Sequence, residues 1–295
     1  MENTKPKPLW GIYTFGTSFT KGGGFEFWQN PKLNEFYKDN PTPKLQFNYS
    51  WPGQLQEKIL NYGGKTQVFN YAKSGYGHEL TIRKAFEVIS STDYFDDKLF
   101  IFEFGALGRK EYWHNELGWI VTNYHFKTDQ IEFTHVINEH DTNQQTITHG
   151  MAQTYFEDSD EVKDILKRDE GLFDKFNSLT INANTELKRI AREIIQFLLF
   201  CNNLGVNYYL SSSPFLHNSL NHYKKHWENN QIVYTKNGNT DIDMYGFLEK
   251  HKLRIKDETN GFIDDGHGGF EGNGVIADTI FNRIITKREY MFPEK

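Results

Sequence analysis

Cysteine is almost absent. The 295-residue chain has one, Cys201, so no intramolecular disulfide can form and the fold must rest on its core. Cys201 follows the apolar run Phe197-Leu198-Leu199-Phe200 and reads as an inert thiol of a buried helix rather than a nucleophile. Long hydrophobic runs are also missing: none reaches the roughly 18 apolar residues of a membrane-crossing helix, and the opening MENTKPKPLW has no apolar leader core. The expectation is a soluble protein without a signal peptide, cytoplasmic or, if viral, virion-associated. Basic charge is in deficit, with 33 Lys and Arg against 39 Asp and Glu and a net charge of −6. That is the wrong sign for a protein that coats nucleic acid or anionic lipid, so neither is expected as a partner, and no oligomeric state is implied.

What the chain does have is apolar content of globular size and an excess of aromatics: 25 Phe, 16 Tyr and 6 Trp, enough to supply stacking surfaces as well as a core. Buried strands are expected at Leu9 to Phe15, at Val68-Phe69, at Leu99 to Phe104 and at Val206 to Leu210. Helices are expected between them. One begins near Pro52 and carries Leu55, Ile59 and Leu60; a second carries Leu80, Ile82, Phe86 and Ile89. Steps of three and four from Leu187 to Leu199 mark a long amphipathic helix, and Ile276 to Ile284 a terminal one. The alternation predicts a single domain over 1–295, three-layer α/β/α with a flavodoxin-like parallel sheet. Residues 110–178 break the rhythm and are expected to be a central insertion, a β-hairpin (Trp119 to Phe126 with Ile131 to Val136) followed by a polar flap.

In such sheets sites form at the carboxyl ends of strands. There lie Gly16-Thr17-Ser18, Ser74-Gly75-Tyr76-Gly77, Gly105-Ala106-Leu107-Gly108-Arg109 and Ser211 to Pro214. Attack by an activated serine needs an exposed hydroxyl, an imidazole to take its proton, a carboxylate to orient the imidazole and N–H donors facing the oxyanion. Ser18 directly follows a strand, and Asp264-Asp265-Gly266-His267 precedes the terminal helix.

Order and context resemble the SGNH, or GDSL, hydrolase superfamily. Gly16-Thr17-Ser18-Phe19-Thr20-Lys21-Gly22 is similar to its first block, Asn70-Tyr71-Ala72-Lys73-Ser74-Gly75 to its second, and Asp264 to His267 with the following Gly274 to its last; Trp51-Pro52-Gly53-Gln54-Leu55 resembles its Trp-Pro-x-x-Leu helix start. The resemblance covers roughly 9–109 and 181–286. It implies Ser18 as nucleophile, His267 as general base and Asp264 as its orienting partner, with Asp265 the alternative acid, and the backbone N–H groups of Ser18 and Gly75 as oxyanion donors. Two positions depart from the pattern. Thr17 replaces the acid before the serine, and Leu107 stands where the family's third-block asparagine would donate to the oxyanion. Removing one such donor commonly costs about 10²–10³ in rate; Arg109 is the nearest cation that could substitute.

The implied activity is that of a serine esterase on a small-molecule or glycan ester, with O-acetyl groups on carbohydrate as one substrate class, and no cofactor. Alternatives are a catalytically weak or inactive glycan-binding or virion structural protein on the same fold, and an O-acyltransferase. Tyr76, Tyr112 and Trp113 are candidates for a substrate platform. No metal is expected: His217, His222 and His226 have spacings of five and four with no acid in register. Lys21-Gly22-Gly23-Gly24 lacks the ending of a phosphate loop, and the carboxylates of Asp264 to Gly274 do not fall at calcium-loop positions.

Overall fold

The computed structural model describes residues 7–21, 47–72, 77–104, 109–115, 118–125, 130–137, 164, 168–169, 183–211, 225, 227–237, 239–241, 244–254, 267–287 and 290–293. In chain order its strands are β1 (Lys7–Pro8), β2 (Gly11–Phe15), β3 (Gln67–Asn70), β4 (Lys98–Glu103), β5 (Arg109–His114), β6 (Gly118–His125), β7 (Gln130–Ile137), β8 (Tyr208–Ser211), β9 (Tyr234–Lys236), β10 (Asn239–Asp241) and β11 (Tyr290–Met291). Its α-helices are α1 (Ser18–Lys21), α2 (Trp51–Asn61), α3 (His78–Ser90), α4 (Ala183–Leu204), α5 (Met244–Lys250) and α6 (Phe270–Lys287).

The central sheet runs β3-β2-β4-β8, every pair parallel. Parallel neighbours need crossovers, and α2, α3 and α4 lie between successive strands of this sheet in the chain. The chain steps from β2 outward to β3, then returns past β2 to β4, so the order reverses between β2 and β4. That reversal is the topological switch point, where an open α/β sheet leaves a crevice at its strand ends.

Alternation along each strand sends side chains to two opposite layers. Ile12, Leu99, Ile101 and Tyr209 join Trp51, Leu55 and Ile59 of α2 and Ile276, Ala277, Ile280 and Ile284 of α6 in one core cluster. Phe15, Phe100, Phe102, Tyr208 and Leu210 join Ala85 and Ile89 of α3 and Ile190, Ala191, Ile194, Phe197, Leu198 and Cys201 of α4 in the other. The fold is therefore a three-layer α/β/α one. The second layer is rich in aromatics: Tyr13 stacks on Phe69 and on Phe100 with ring centroids 5.0 Å apart in both pairs, and Phe102 meets Phe197 edge-on at 5.0 Å.

Local chemistry sets the helix ends. Ser50 caps α2, its side chain accepting from the Gly53 N–H, with Pro52 in the first turn. α4 ends before Gly205, whose φ of 71° is the left-handed conformation glycine adopts without penalty. Strand β8 starts at Tyr208, two residues later than the apolar run from Val206 suggests.

Between β4 and α4, β6 pairs antiparallel with β7, and β5 adds a third antiparallel strand on the other side of β6. The hairpin's strands fall in two β-rich runs, and their register shifts between Val121 and Thr122. Strand β5 has no such signal, because Arg-Lys-Glu-Tyr-Trp-His mixes charge and aromatics without period. Most of the expected polar flap lies outside the described residues. Among the described residues no helix is long and apolar enough to cross a membrane.

Candidate active site

The carboxyl end of β2 turns sharply into the four-residue α1 at Ser18. The turn is tight at Gly16: a Cβ there would lie 2.6 Å from Glu103 Oε2 and 2.9 Å from Thr20 Oγ1, so only glycine fits. Glu103 is the last residue of β4, across the switch point. It interrupts an otherwise apolar run and is 1% exposed. Its carboxylate accepts from four donors of the turn: Thr17 N–H at 3.2 Å, Thr17 Oγ1 at 2.6 Å, Thr20 N–H at 3.2 Å and Thr20 Oγ1 at 2.5 Å. Burial pushes this carboxyl above the ordinary carboxylate range, and the Thr17 and Thr20 donors pull against that rise. Removing a carboxylate from water costs several kcal/mol. Hydrogen bonds to an ionised acceptor contribute about 1.5–3 kcal/mol each, so four can offset most of that cost without a cation.

The N–H of Phe19 reaches Thr17 Oγ1 at 3.3 Å. The amides of Thr17, Phe19 and Thr20 are thus engaged, whereas that of Ser18 has no acceptor among the described residues. Asn70, at the end of β3, braces the far side. Its Nδ2 donates to the Thr20 carbonyl at 3.0 Å, and its Oδ1 accepts from Thr14 Oγ1 at 3.0 Å and from the Ala72 N–H at 3.1 Å.

Ser18 Oγ lies 2.6 Å from His267 Nε2, across 249 residues of sequence. Both residues are half-buried. The His267 ring packs on Phe19 with centroids 4.8 Å apart, and Phe19 meets Tyr245 edge-on at 5.6 Å. Arg254 lies over the Tyr245 ring at 4.1 Å. The loop bearing His267 is fastened on two sides. Gly268 pairs with Arg254 as an antiparallel bridge, and the Gly269 N–H donates to the Leu253 carbonyl at 2.8 Å. Asn273, buried in the first turn of α6, donates through Nδ2 to the carbonyls of Gly268 (2.7 Å) and Gly269 (3.1 Å), and its Oδ1 accepts from the Trp51 N–H at 2.9 Å. Gln54 Nε2 adds a bond to the Phe270 carbonyl at 3.0 Å. The start of α2 thereby indexes the histidine loop.

Ser18 and His267 are the expected site residues that the structure brings together. Asp264, Asp265, Gly75 and Leu107 lie outside the described residues, as do His217, His222 and His226 and the glycines 22–24. Arg109 opens β5, one loop beyond β4, and Tyr112 and Trp113 follow on that strand, their backbones alone described; Tyr76 lies outside. Phe270, 57% exposed beside the histidine loop and edge-on to Tyr49 at 5.5 Å, is the described aromatic of the platform type. Glu103 and Asn273 are the residues sequence reasoning missed. The signal for Glu103 was there: one acid inside Leu-Phe-Ile-Phe-Glu-Phe needs a reason to be buried.

A second polar cluster lies where α3 meets α4. His78 Nε2 is 3.0 Å from Glu193 Oε2, and Arg189 Nη1 donates to Glu79 at 2.5 Å and to Glu193 at 2.7 Å. His78, Glu79 and Glu193 form the one group of three metal-type ligands among the described residues, their ligand atoms within 4.8 Å of one another. The Arg189 guanidinium already supplies the positive charge there, so the cluster reads as an ion-pair network between helices.

No protein-family model matches the chain, and no curated protein does. Solved structures similar to it include the psychrotrophic esterase EstA from Pseudoalteromonas sp., inhibited by monoethylphosphonate, at 11% identity and a TM-score of 0.41, covering 94% of this chain and 97% of that one. A member of the lipolytic G-D-S-L family from Veillonella parvula matches at 10% identity and a TM-score of 0.43, covering 95% of this chain and 100% of that one.

Proposed function

We propose that the protein is a serine esterase of SGNH type, hydrolysing an acyl ester such as an O-acetyl group on a carbohydrate. The observation that carries this reading is the 2.6 Å contact between Ser18 Oγ and His267 Nε2 at the carboxyl end of the sheet. Ser18 attacks the ester carbonyl as His267 takes its proton. The protonated imidazole then returns the proton to the leaving alcohol, and water deacylates the enzyme by the same route. Asp264, or Asp265 next to it, orients the imidazole. The Ser18 amide, with no other acceptor among the described residues, and that of Gly75 receive the oxyanion, and Arg109 stands in for the donor that Leu107 lacks.

Leu107 favours a second reading, an inactive glycan-binding or virion structural protein on this fold. A fluorophosphonate probe with p-nitrophenyl acetate turnover separates the two. Labelling and turnover that vanish in Ser18→Ala support the esterase, and their absence from the wild type refutes it. Product analysis with a sugar acceptor present distinguishes acyl transfer from hydrolysis. A fall of less than tenfold in kcat for Arg109→Ala removes Arg109 as the substitute donor.

A further inference from the structure

We infer that Glu103 is a positioning residue for the nucleophile: its buried carboxylate, bound by four donors from Thr17 and Thr20, fixes the turn so that Ser18 Oγ stays in hydrogen-bond register with His267. Its catalytic consequence rests on the esterase reading; its geometric content does not. The turn from β2 into α1 is only four helical residues long and cannot hold itself rigid. Glu103 binds both sides of Ser18, the residue before it and the residue two after it, through a backbone and a hydroxyl donor each. It binds neither the Ser18 hydroxyl nor the Ser18 amide, so the reacting groups stay available. Thr17, standing where the resembled family has an acid, takes part as a donor: the negative charge sits on the neighbouring strand and reaches the turn through the Thr17 hydroxyl. Gly16 gives the carboxylate its room, since any side chain there would occupy its place. A displacement of about 1 Å in a reacting group can cost on the order of a hundredfold in rate, so loosening this anchor is read in the rate of attack at Ser18.

The test compares the wild type with Glu103→Gln, which keeps volume but loses charge and one acceptor, and with Thr17→Val, which loses one donor to Glu103 together with the acceptor of the Phe19 N–H and decides the matter if Glu103→Gln fails to fold. Three quantities are read on the full chain: the rate and final stoichiometry of fluorophosphonate labelling, kcat and KM for p-nitrophenyl acetate, and the ¹⁵N signals of the His267 ring. The expected result is full final labelling, reached about 10- to 100-fold more slowly in Glu103→Gln and a few-fold more slowly in Thr17→Val, with the loss in kcat and not in KM. A merely structural role would lower the labelled fraction and leave the rate of the folded fraction unchanged. Wild-type labelling rates in both variants overturn the inference while leaving the esterase reading intact. If the wild type itself does not label, the esterase reading fails, and the ring signals decide. A His267 Nε2 signal that loses its hydrogen-bonded position in the folded variant supports the inference; an unchanged signal overturns it.

Discussion

Glu103, at the end of β4, and Glu193, in the middle of α4, are both withdrawn from water, and the protein treats them in opposite ways. Glu193 is half-buried and sits against Arg189 and His78. Burial raises its pKa, but the His78 hydrogen bond and the Arg189 charge outweigh that and hold its carboxyl below the ordinary range. Glu103 has no cation among its partners in the described residues, only hydroxyls and amides of one turn, and burial holds it above that range. The contrast separates two uses of a buried acid. Glu193 ties α3 to α4 by charge and is at its best ionised. Glu103 shapes a loop by geometry at the switch point, and its ionisation opposes folding. A protein retains such a costly group where position matters more than stability.

The comparison breaks most visibly on removal of each side chain. Glu103→Leu leaves two amides and two hydroxyls without their acceptor and is expected to cost about 3 kcal/mol or more, from roughly 1–3 kcal/mol per buried unsatisfied group. Glu193→Leu leaves Arg189 its bond to Glu79, strands one nitrogen of buried His78, and is expected to cost about 1–2 kcal/mol. Urea unfolding measures both, and equal losses would remove the distinction. Next comes Gly16→Ala, which drives a methyl into Glu103 and Thr20. A destabilisation of about 1–3 kcal/mol is expected from overpacking, accompanied by slower labelling of Ser18; a neutral effect on both would show that the turn is not tightly set.

Isosteric Gln variants sharpen the comparison through pH. For Glu193, whose folded pKa is lowered, wild-type stability is fully present above the unfolded carboxylate pKa of about 4.3 and is lost as pH falls through the folded value. The advantage of wild type over Glu193→Gln therefore grows on raising the pH from acid toward that range. For Glu103, whose folded pKa is raised, the sign reverses: wild-type stability is highest below the unfolded pKa and is lost as pH rises through the folded one. Its advantage over Glu103→Gln shrinks upward from that range. Slopes of the same sign in the two unfolding series would contradict the assignment. The smallest effect is expected at Cys201, buried with no charged partner among the described residues, its thiol pushed up to about 12 by burial. Iodoacetamide at about pH 8 should leave it unmodified in the native protein and modify it in urea; rapid native alkylation would show that the α4 layer opens.

The three layers were legible because they rest on strong local signals, apolar runs bounded by Gly or Pro and helical spacing in α4 and α6; each loop alone is a weak signal for Ser18 or His267, and only the resemblance of the motif order paired them. Glu103 and Asn273 were not legible. Each acts on segments far away in sequence, Glu103 on a turn over eighty residues earlier and Asn273 on a helix start 222 residues earlier. No local pattern encodes those partners, only the oddity of a polar residue in an apolar setting. Strand β5 escaped for a related reason, since its mixed residues acquire a strand conformation through pairing with β6 rather than from their own alternation. Among the described residues the aromatics, open in the sequence to a binding role, fill both core layers, while Phe270 is one of several left exposed.

The central claim is that His267 activates Ser18. Peptide mapping after fluorophosphonate treatment of wild type and His267→Gln tests it most directly. The account predicts an adduct on Ser18 in the wild type, formed on the order of a thousandfold or more slowly in His267→Gln. An adduct on another residue, no adduct at all, or equal rates in the two proteins would contradict it.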